Sequence, residues 1–201
     1  MKLDVTIELL SPLQFGSGQE NIIVDSDAVH DAHGLPYFPG KRLKGLLYES
    51  AIEMAEIGDW FTKEEVDTLF GHNSDESYMR IDNMYLENYE QLCNGWNYLQ
   101  KQYQNVFTAQ NIWNTYTELR VQTAIDKRTG TTKDGSLHNM RVVDAGLCFS
   151  GSIYLYDNVL EEKQREIIKY ALLNLRYVGA KRNRGFGHVK CRLVQLSLIH
   201  I

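Results

Sequence analysis

Val5, Ile7 and Leu9 alternate with polar neighbours near the start of the chain, the two-residue period of a half-buried strand. Ser11 to Gly18 reads as a loop, and a short apolar piece follows at Ile22 to Val24. From Asp25 to Gly34 the chain is polar and acidic, apart from Ala28 and Val29. Leu35-Pro36-Tyr37-Phe38-Pro39-Gly40 is a constrained turn leading into a helix over Lys41 to about Ile57, with Leu43, Leu46, Leu47, Ala51 and Met54 on one face. Residues 58–119 are rich in Tyr, Asn, Gln and acids. One short helix is predicted there, from Thr62 to Phe70, and the remainder reads as an inserted excursion. Arg120 to Arg141 is basic, carries Thr-Gly-Thr-Thr and Asp-Gly-Ser turns and has few core residues, so it reads as an extended arm or hairpin. Periodicity returns over Val142 to Tyr156, a strand or strand pair through Leu147, Phe149, Ile153 and Leu155. A second helix spans Val159 to about Leu175, with Ile168, Ala171, Leu172 and Leu175 inward and Glu161, Lys163, Arg165 and Glu166 to water. The last strand is Val189 to Val194.

Strand, helix, excursion, strands, helix, strand is the order of an α+β fold with a ferredoxin-like (RRM-like) βαββαβ core. The core carries a large insertion (58–119) and an extended basic arm (120–141), all within one domain over residues 1–195. The final six residues, Leu196 to Ile201, match the translation of a transposase-end sequencing adaptor, and 196–201 is expected to be foreign to the domain. An ordinary last strand is the alternative.

Composition is that of a globular protein, 43% hydrophobic and 23% charged. No apolar run approaches the roughly 20 residues of a membrane span, and Asp4 and Glu8 make the N-terminus a strand and not a signal peptide. Three cysteines without paired spacing suggest a reducing, cytoplasmic setting. The net charge of -5 conceals a split. Residues 120–192 hold fourteen Lys or Arg against seven Asp or Glu; residues 1–119 hold seven against nineteen. Such asymmetry points to a basic face for nucleic acid and an acidic region turned elsewhere.

The chemistry concentrates in Gly179-Ala180-Lys181-Arg182-Asn183-Arg184-Gly185-Phe186-Gly187-His188. Glycines admit positive φ and close backbone approach, successive N–H groups form an anion cradle, and Phe186 offers a ring for a base. Lys41, Arg42 and Lys44 crowd the first turn of a helix, where the macrodipole disfavours cations unless a phosphate lies among them. A solvated basic turn explains either segment taken alone.

Three ordered segments together resemble the CRISPR-associated RAMP superfamily. They are Gly34 to Gly45 with its Pro39-Gly40 and Leu43-Lys44-Gly45, and Thr123-Ala124-Ile125-Asp126 through Gly135-Ser136-Leu137 into Val142 to Phe149. The glycine loop is the third. The resemblance is nearest to type III, subtype D-like, and type VII subunits. It implies binding of guide CRISPR RNA, assembly with other RAMP-type subunits on complementary target RNA, and in some systems a separate nuclease subunit. The expected RNA-binding residues are Lys41, Arg42, Lys44, Lys127, Arg128, Arg141, Lys181, Arg182, Asn183, Arg184, Gly185, Phe186 and Gly187. The family offers two roles. A cap holds the five-prime repeat tag without cleaving, and the segments at Lys41 to Leu47 and Ala145 to Leu147 lean that way. A repeating backbone subunit cleaves target RNA through an aspartate in the loop before the helix, here Asp25, with Asp27 and Asp31 nearby. In that alternative a divalent cation such as Mg is the cofactor; in the cap reading there is none. A single-strand RNA-binding domain outside CRISPR is a third reading. His30, His33, His72, His138 and His188 have no zinc-ligand spacing, and nucleotide-binding and hydrolase fingerprints are missing.

Overall fold

The computed structural model describes residues 1–15, 28–72, 77–133, 135–156 and 161–194. Its elements in chain order are β1 (Lys2–Leu9), β2 (Tyr37–Phe38), α1 (Gly40–Ile57), α2 (Lys63–Phe70), β3 (Met79–Ile81), β4 (Met84–Leu86), α3 (Tyr89–Gln102) and α4 (Ala109–Thr115). Then follow β5 (Thr117–Gln122), β6 (His138–Val143), β7 (Cys148–Leu155), α5 (Glu161–Asn174), a 3-10 turn at Arg182–Arg184 and β8 (Val189–Val194).

The alternation seen in the sequence builds β1, whose Leu3, Val5, Ile7 and Leu9 are all buried. β1 lies between β7 and β8 and pairs antiparallel with both, Ile7 facing Phe149 on one side and Cys191 on the other. β7 in turn pairs with β3 and β4, and β2 extends the sheet beyond β4. Taking β3 and β4 as one broken strand, the order is β8-β1-β7-β3/β4. That is the ferredoxin-like arrangement, two βαβ units whose strands interleave. The fold expectation is met.

Residues 58–119 are only partly an insertion. β3 and β4 lie within them and supply the fourth core strand. The strand is broken where its register on β7 shifts by one residue, Ile81 facing Ile153 but Tyr85 facing Ser150, and the Asn83 side chain at this bulge accepts a bond from the Gly40 amide at 3.0 Å. The first turn of α1 thus docks on the break. The arm is likewise longer than 120–141: β5 and β6 form a separate two-stranded antiparallel hairpin over 117–143. Val142 and Val143 belong to that hairpin, so the stretch expected from Val142 to Tyr156 divides between two sheets.

α1 and α5 cover one face of the main sheet. Leu43, Leu47 and Ala51 on one helix and Ile168, Ala171 and Leu172 on the other are buried as their spacing predicts. Where the two meet, the buried Ser50 hydroxyl donates to the Ala171 carbonyl at 2.8 Å. It also accepts from the Asn174 amide at 3.2 Å, so the polar group inside the contact is satisfied. Lys163 keeps part of its side chain in solvent while its ammonium donates to the Trp60 carbonyl at 2.6 Å, and the Trp60 indole stacks on Tyr170 at 4.8 Å. α2 begins with a full capping box between Thr62 and Glu65.

Gly40 is required by this docking. A Cβ there would overlap the Ile81 carbonyl oxygen and come within 2.5 Å of that of Asp82. Gly40→Ala is expected to cost about 2 kcal/mol of stability, since both neighbours are backbone and cannot give way. In a chain of this size that is a fall in Tm of roughly 4–8 °C. Thermal unfolding followed by circular dichroism checks it; an unchanged midpoint would show that the α1–β3/β4 contact relaxes freely.

Candidate nucleic-acid interface

β1 ends in a five-residue segment, Leu10 to Gln14, from which the candidate interface is built. The amides of Leu10 and Ser11 both donate to the His188 carbonyl, at 2.8 and 3.2 Å. The Ser11 hydroxyl accepts from the His188 amide at 2.8 Å. Pro12 accepts from the Gly187 amide at 2.9 Å, Leu13 exchanges two 2.8 Å bonds with Val143, and Gln14 accepts from the Ala180 amide at 3.0 Å. The glycine loop is therefore fastened to the end of β1 at its root, and the hairpin is fastened to the same segment.

The loop's glycines have distinct duties. A Cβ at Gly187 would overlap the Val178 carbonyl, and one at Gly179 would come within 2.5 Å of the Gln14 carbonyl; both residues have positive φ. Gly185 also has positive φ, 82°, but faces open space, so it turns the chain and packs against nothing. Between Lys181, itself left-handed at φ 58°, and Gly185 the turn Arg182-Asn183-Arg184 stands exposed. Phe186 is half-buried.

The N-terminus of α1 meets this loop on one side. Arg42 lies over the Phe15 ring at 5.6 Å. Together with Gln14, Gly45, Glu49, Gly179 and Ala180 it lines a groove of about 350 Å³. At Gly45 the groove wall is open, with nothing within 4 Å of where a Cβ would stand. Arg42 and the glycine loop are thus brought together, as expected, and Lys41 is exposed beside them. Gly45 belongs to the Leu43-Lys44-Gly45 motif, whereas Gln14 and Phe15 join the site with no signal in the sequence beyond a loop position.

Other expected residues sit elsewhere. Lys44 points to the opposite side of α1, where its ammonium donates to the Ser77 hydroxyl at 2.6 Å and burial lowers its pKa from the ordinary lysine value. Arg141 is a correction: it is 8% exposed, and its guanidinium donates to Asn114 at 2.9 Å and to the Thr117 hydroxyl at 3.0 Å. It braces the base of the hairpin against α4 and presents no charge to a ligand. Lys181 is engaged too, with its ammonium 2.9 Å from the Gln122 carbonyl oxygen and 3.1 Å from the Met140 sulfur. Lys127 and Arg128 are exposed in the turn beyond the Ile125–Thr132 bridge at the tip of the hairpin.

Asp25 and Asp27 lie outside the described residues. Asp31 is consumed structurally: one carboxylate oxygen accepts the His33 and Leu35 amides at 2.9 and 2.8 Å, and the other accepts the Tyr89 hydroxyl at 2.6 Å. Among the described residues no three His, Cys, Asp or Glu side chains gather as a metal cradle. His188 stacks on Tyr177 at 5.0 Å and lends its main chain to the loop root.

The open face of the main sheet differs from that of an RRM, where aromatics on the central strands stack bases. The outward positions of β1 and β7 carry Asp4, Thr6, Glu8, Ser150 and Ser152, with Tyr154 beneath Arg80 at the far end. Asp4 is bonded to Lys2 and Ser152, which hold its carboxyl below the usual range, and Glu8 pairs with Arg192. Lys190 and Arg192 on β8 stand on the same face, and the candidate interface is the groove beside Arg42 together with the exposed basic loop.

A family model, that of the RAMP superfamily, matches residues 6–190, from β1 into β8. The chain belongs to the RAMP superfamily. It is 25% identical over 218 residues to the "CRISPR system Cms endoribonuclease Csm3" of Methanocaldococcus jannaschii, an alignment covering 96% of this chain and 79% of that relative. Among solved structures, a chain of the type III-B Cmr-beta complex in its apo state superposes with a TM-score of 0.71 at 16% identity, covering 97% of this chain and 98% of that one. A chain of Cmr-beta bound to cognate target RNA gives 0.70 at 14% identity, covering 96% and 97%. Both share the RAMP fold from end to end. No helix among the described residues is long and apolar enough to cross a membrane.

Arg182 and Arg184 are the exposed cations of the loop, and their replacement should leave folding untouched while weakening RNA binding. For Arg182→Ala/Arg184→Ala the plot of log affinity against log salt for a single-stranded RNA is expected to become shallower by up to about 0.7 per lost contact. Fluorescence anisotropy over a salt series measures it. An unaltered slope would assign the loop to a solvated turn.

Proposed function

We propose that this RAMP protein is a guide-RNA-binding subunit of a type III-like CRISPR effector complex in the cytoplasm, repeated along the guide and bound to complementary target RNA and to neighbouring RAMP subunits. The observation that carries this reading is the convergence of Arg42, the glycine loop and the end of β1 on one groove, within a family match spanning nearly the whole chain. In this reading Arg42, Arg182 and Arg184 meet phosphates. The glycine turn lets the backbone come close, and the half-buried Phe186 ring offers a partial stacking face.

For the repeating role the support is the relative named as an endoribonuclease, aligned over 96% of the chain. In this role Asp25 is the chemical group. In this reading its carboxylate orients the 2′-hydroxyl and takes its proton as the 2′-oxygen bonds to the adjacent phosphorus and the bond to the 5′-oxygen breaks, the leaving oxygen taking a proton from water; a divalent cation would supply charge stabilisation at the phosphate. The cap role, holding the five-prime tag without cleavage, is the second reading and is favoured by the segments at Lys41 to Leu47 and Ala145 to Leu147. A recruited nuclease subunit would then do the cutting.

Asp25→Ala separates the two roles. In the assembled complex, given complementary RNA and a divalent cation, the repeating reading expects regularly spaced cuts to vanish while target binding persists. Unchanged cuts would move the chain to the cap role, and counting copies per complex would confirm that move by finding one instead of several.

The hairpin should engage RNA or the next subunit through its tip. Lys127, Arg128 and Lys133 are all exposed, so replacing the three by Ala is expected to keep Tm within about 1 °C, since such surface changes move stability little. Assembly on guide RNA, followed by native mass measurement, should be impaired. Normal assembly would remove the tip from the interface.

A further inference from the structure

Lys181 was expected among the phosphate-binding cations, yet its ammonium is turned inward onto the hairpin. It donates to the Gln122 side-chain carbonyl on β5 at 2.9 Å and lies 3.1 Å from the Met140 sulfur on β6. Its backbone is one of two left-handed non-glycine conformations among the described residues, φ 58°. That conformation is uncommon for a residue with a Cβ and persists where surrounding contacts hold it. Just after it, the Arg184 amide donates to the Lys181 carbonyl at 2.8 Å, closing the turn that carries Arg182, Asn183 and Arg184.

We propose that Lys181 is a positioning residue that clamps the glycine turn to the β5–β6 hairpin, so that Arg182 and Arg184 meet RNA from a preset pose, and that it does not itself touch phosphate. The assignment rests on the RNA-binding reading of the loop. Two attachments then join loop and hairpin. The first is backbone, through Pro12, Leu13 and Gln14 at the root; the second is the Lys181 side chain nearer the tip. Without the second, the exposed turn can swing about its root, and each binding event must freeze it afresh. With it, a ligand held by the loop and one held by the hairpin act on a single body. Burial and the neighbouring Arg184 both lower the Lys181 pKa, as fits an ammonium drawn away from bulk water.

The test uses the full chain carrying Lys181→Met, Gln122→Ala, both together, and Arg184→Ala. In the RNA-free protein, hydrogen exchange should quicken in β5 and β6 for each clamp variant, no further in the double variant, and not at all for Arg184→Ala. With a fluorescein-labelled single-stranded RNA, the clamp variants should lose about tenfold in affinity at unchanged salt slope, the loss of one charge-assisted hydrogen bond. Arg184→Ala should lose affinity with a slope shallower by up to about 0.7. A shallower slope for Lys181→Met with unchanged exchange would make Lys181 a phosphate contact and overturn the proposal. Unchanged exchange and affinity in the clamp variants would also overturn it. Quickened exchange in a protein whose unmodified form binds no RNA would reject the RNA reading and the positioning role together, leaving the clamp as architecture.

Discussion

The five residues after β1 hold the molecule's two sheets and its candidate interface in one frame. Leu10 to Gln14 spend their main-chain groups on two neighbours, the glycine loop through Ala180, Gly187 and His188 and the end of β6 through Val143. Such a segment would be costly to bury with its polar groups unpaired, and the hydrogen bonds offset that cost. The partners are distant in sequence, roughly 130 to 175 residues away. The glycines at 179 and 187 follow from the same constraint. Each stands where another backbone carbonyl occupies the space a side chain would need. The loop's composition is therefore set at least as much by its seat as by its ligand. Gly185, which abuts nothing, is the one glycine of the three whose freedom serves the exposed turn itself.

The core was legible because its signals are periodic and long. The alternation of Val5, Ile7 and Leu9, the stripe from Leu43 to Ala51 and the stripe from Ile168 to Leu172 all point inward where spacing put them. The fourth core strand was not legible. It consists of two three-residue pieces, Met79–Ile81 and Met84–Leu86, interrupted by Asp82 and Asn83, too short for a period to emerge. Its continuity comes from β7 alongside, a tertiary partner no local window contains. The hairpin was visible as a basic, turn-rich stretch, but its limits were misjudged: Thr117 and Val143, one at each end, pair across its base.

The site was legible in its loop and helix, and illegible in what those cations do. Charge counting treats every Lys and Arg of residues 120–192 alike, and the fold does not. Arg141 is spent on Asn114 and Thr117, Lys163 on the Trp60 carbonyl, Lys181 on Gln122, and Arg120 and Arg192 on neighbouring carboxylates at 2.7 and 3.3 Å. What remains turned outward on the loop and hairpin tip is a small set, Arg182, Arg184, Lys127, Arg128 and Lys133. A residue's charge says that it can meet phosphate. Its neighbours decide whether it does.

That sorting also applies to the open sheet face. The open sheet face, the usual platform in RRM domains, bears Asp4 and Glu8 on its central strand, tied by Lys2, Ser152 and Arg192 into a flat polar network. Exposed pairs of this kind add little stability, so their presence is not explained by folding alone. Lys190 and Arg192 on β8 and Arg80 on β3 share that face, with Tyr154 on β7 and Tyr85 on β4, so cations balance its carboxylates. With the other face covered by α1 and α5, the proposed RNA site at the end of β1 stands apart from the sheet, at a groove lined by Arg42 and Glu49 that continues into the exposed turn Arg182 to Arg184. The N-terminal acids and C-terminal bases that look opposed in the net charge meet across this fold, as Glu8 does with Arg192, so the excess charge of a sequence segment does not by itself mark a face.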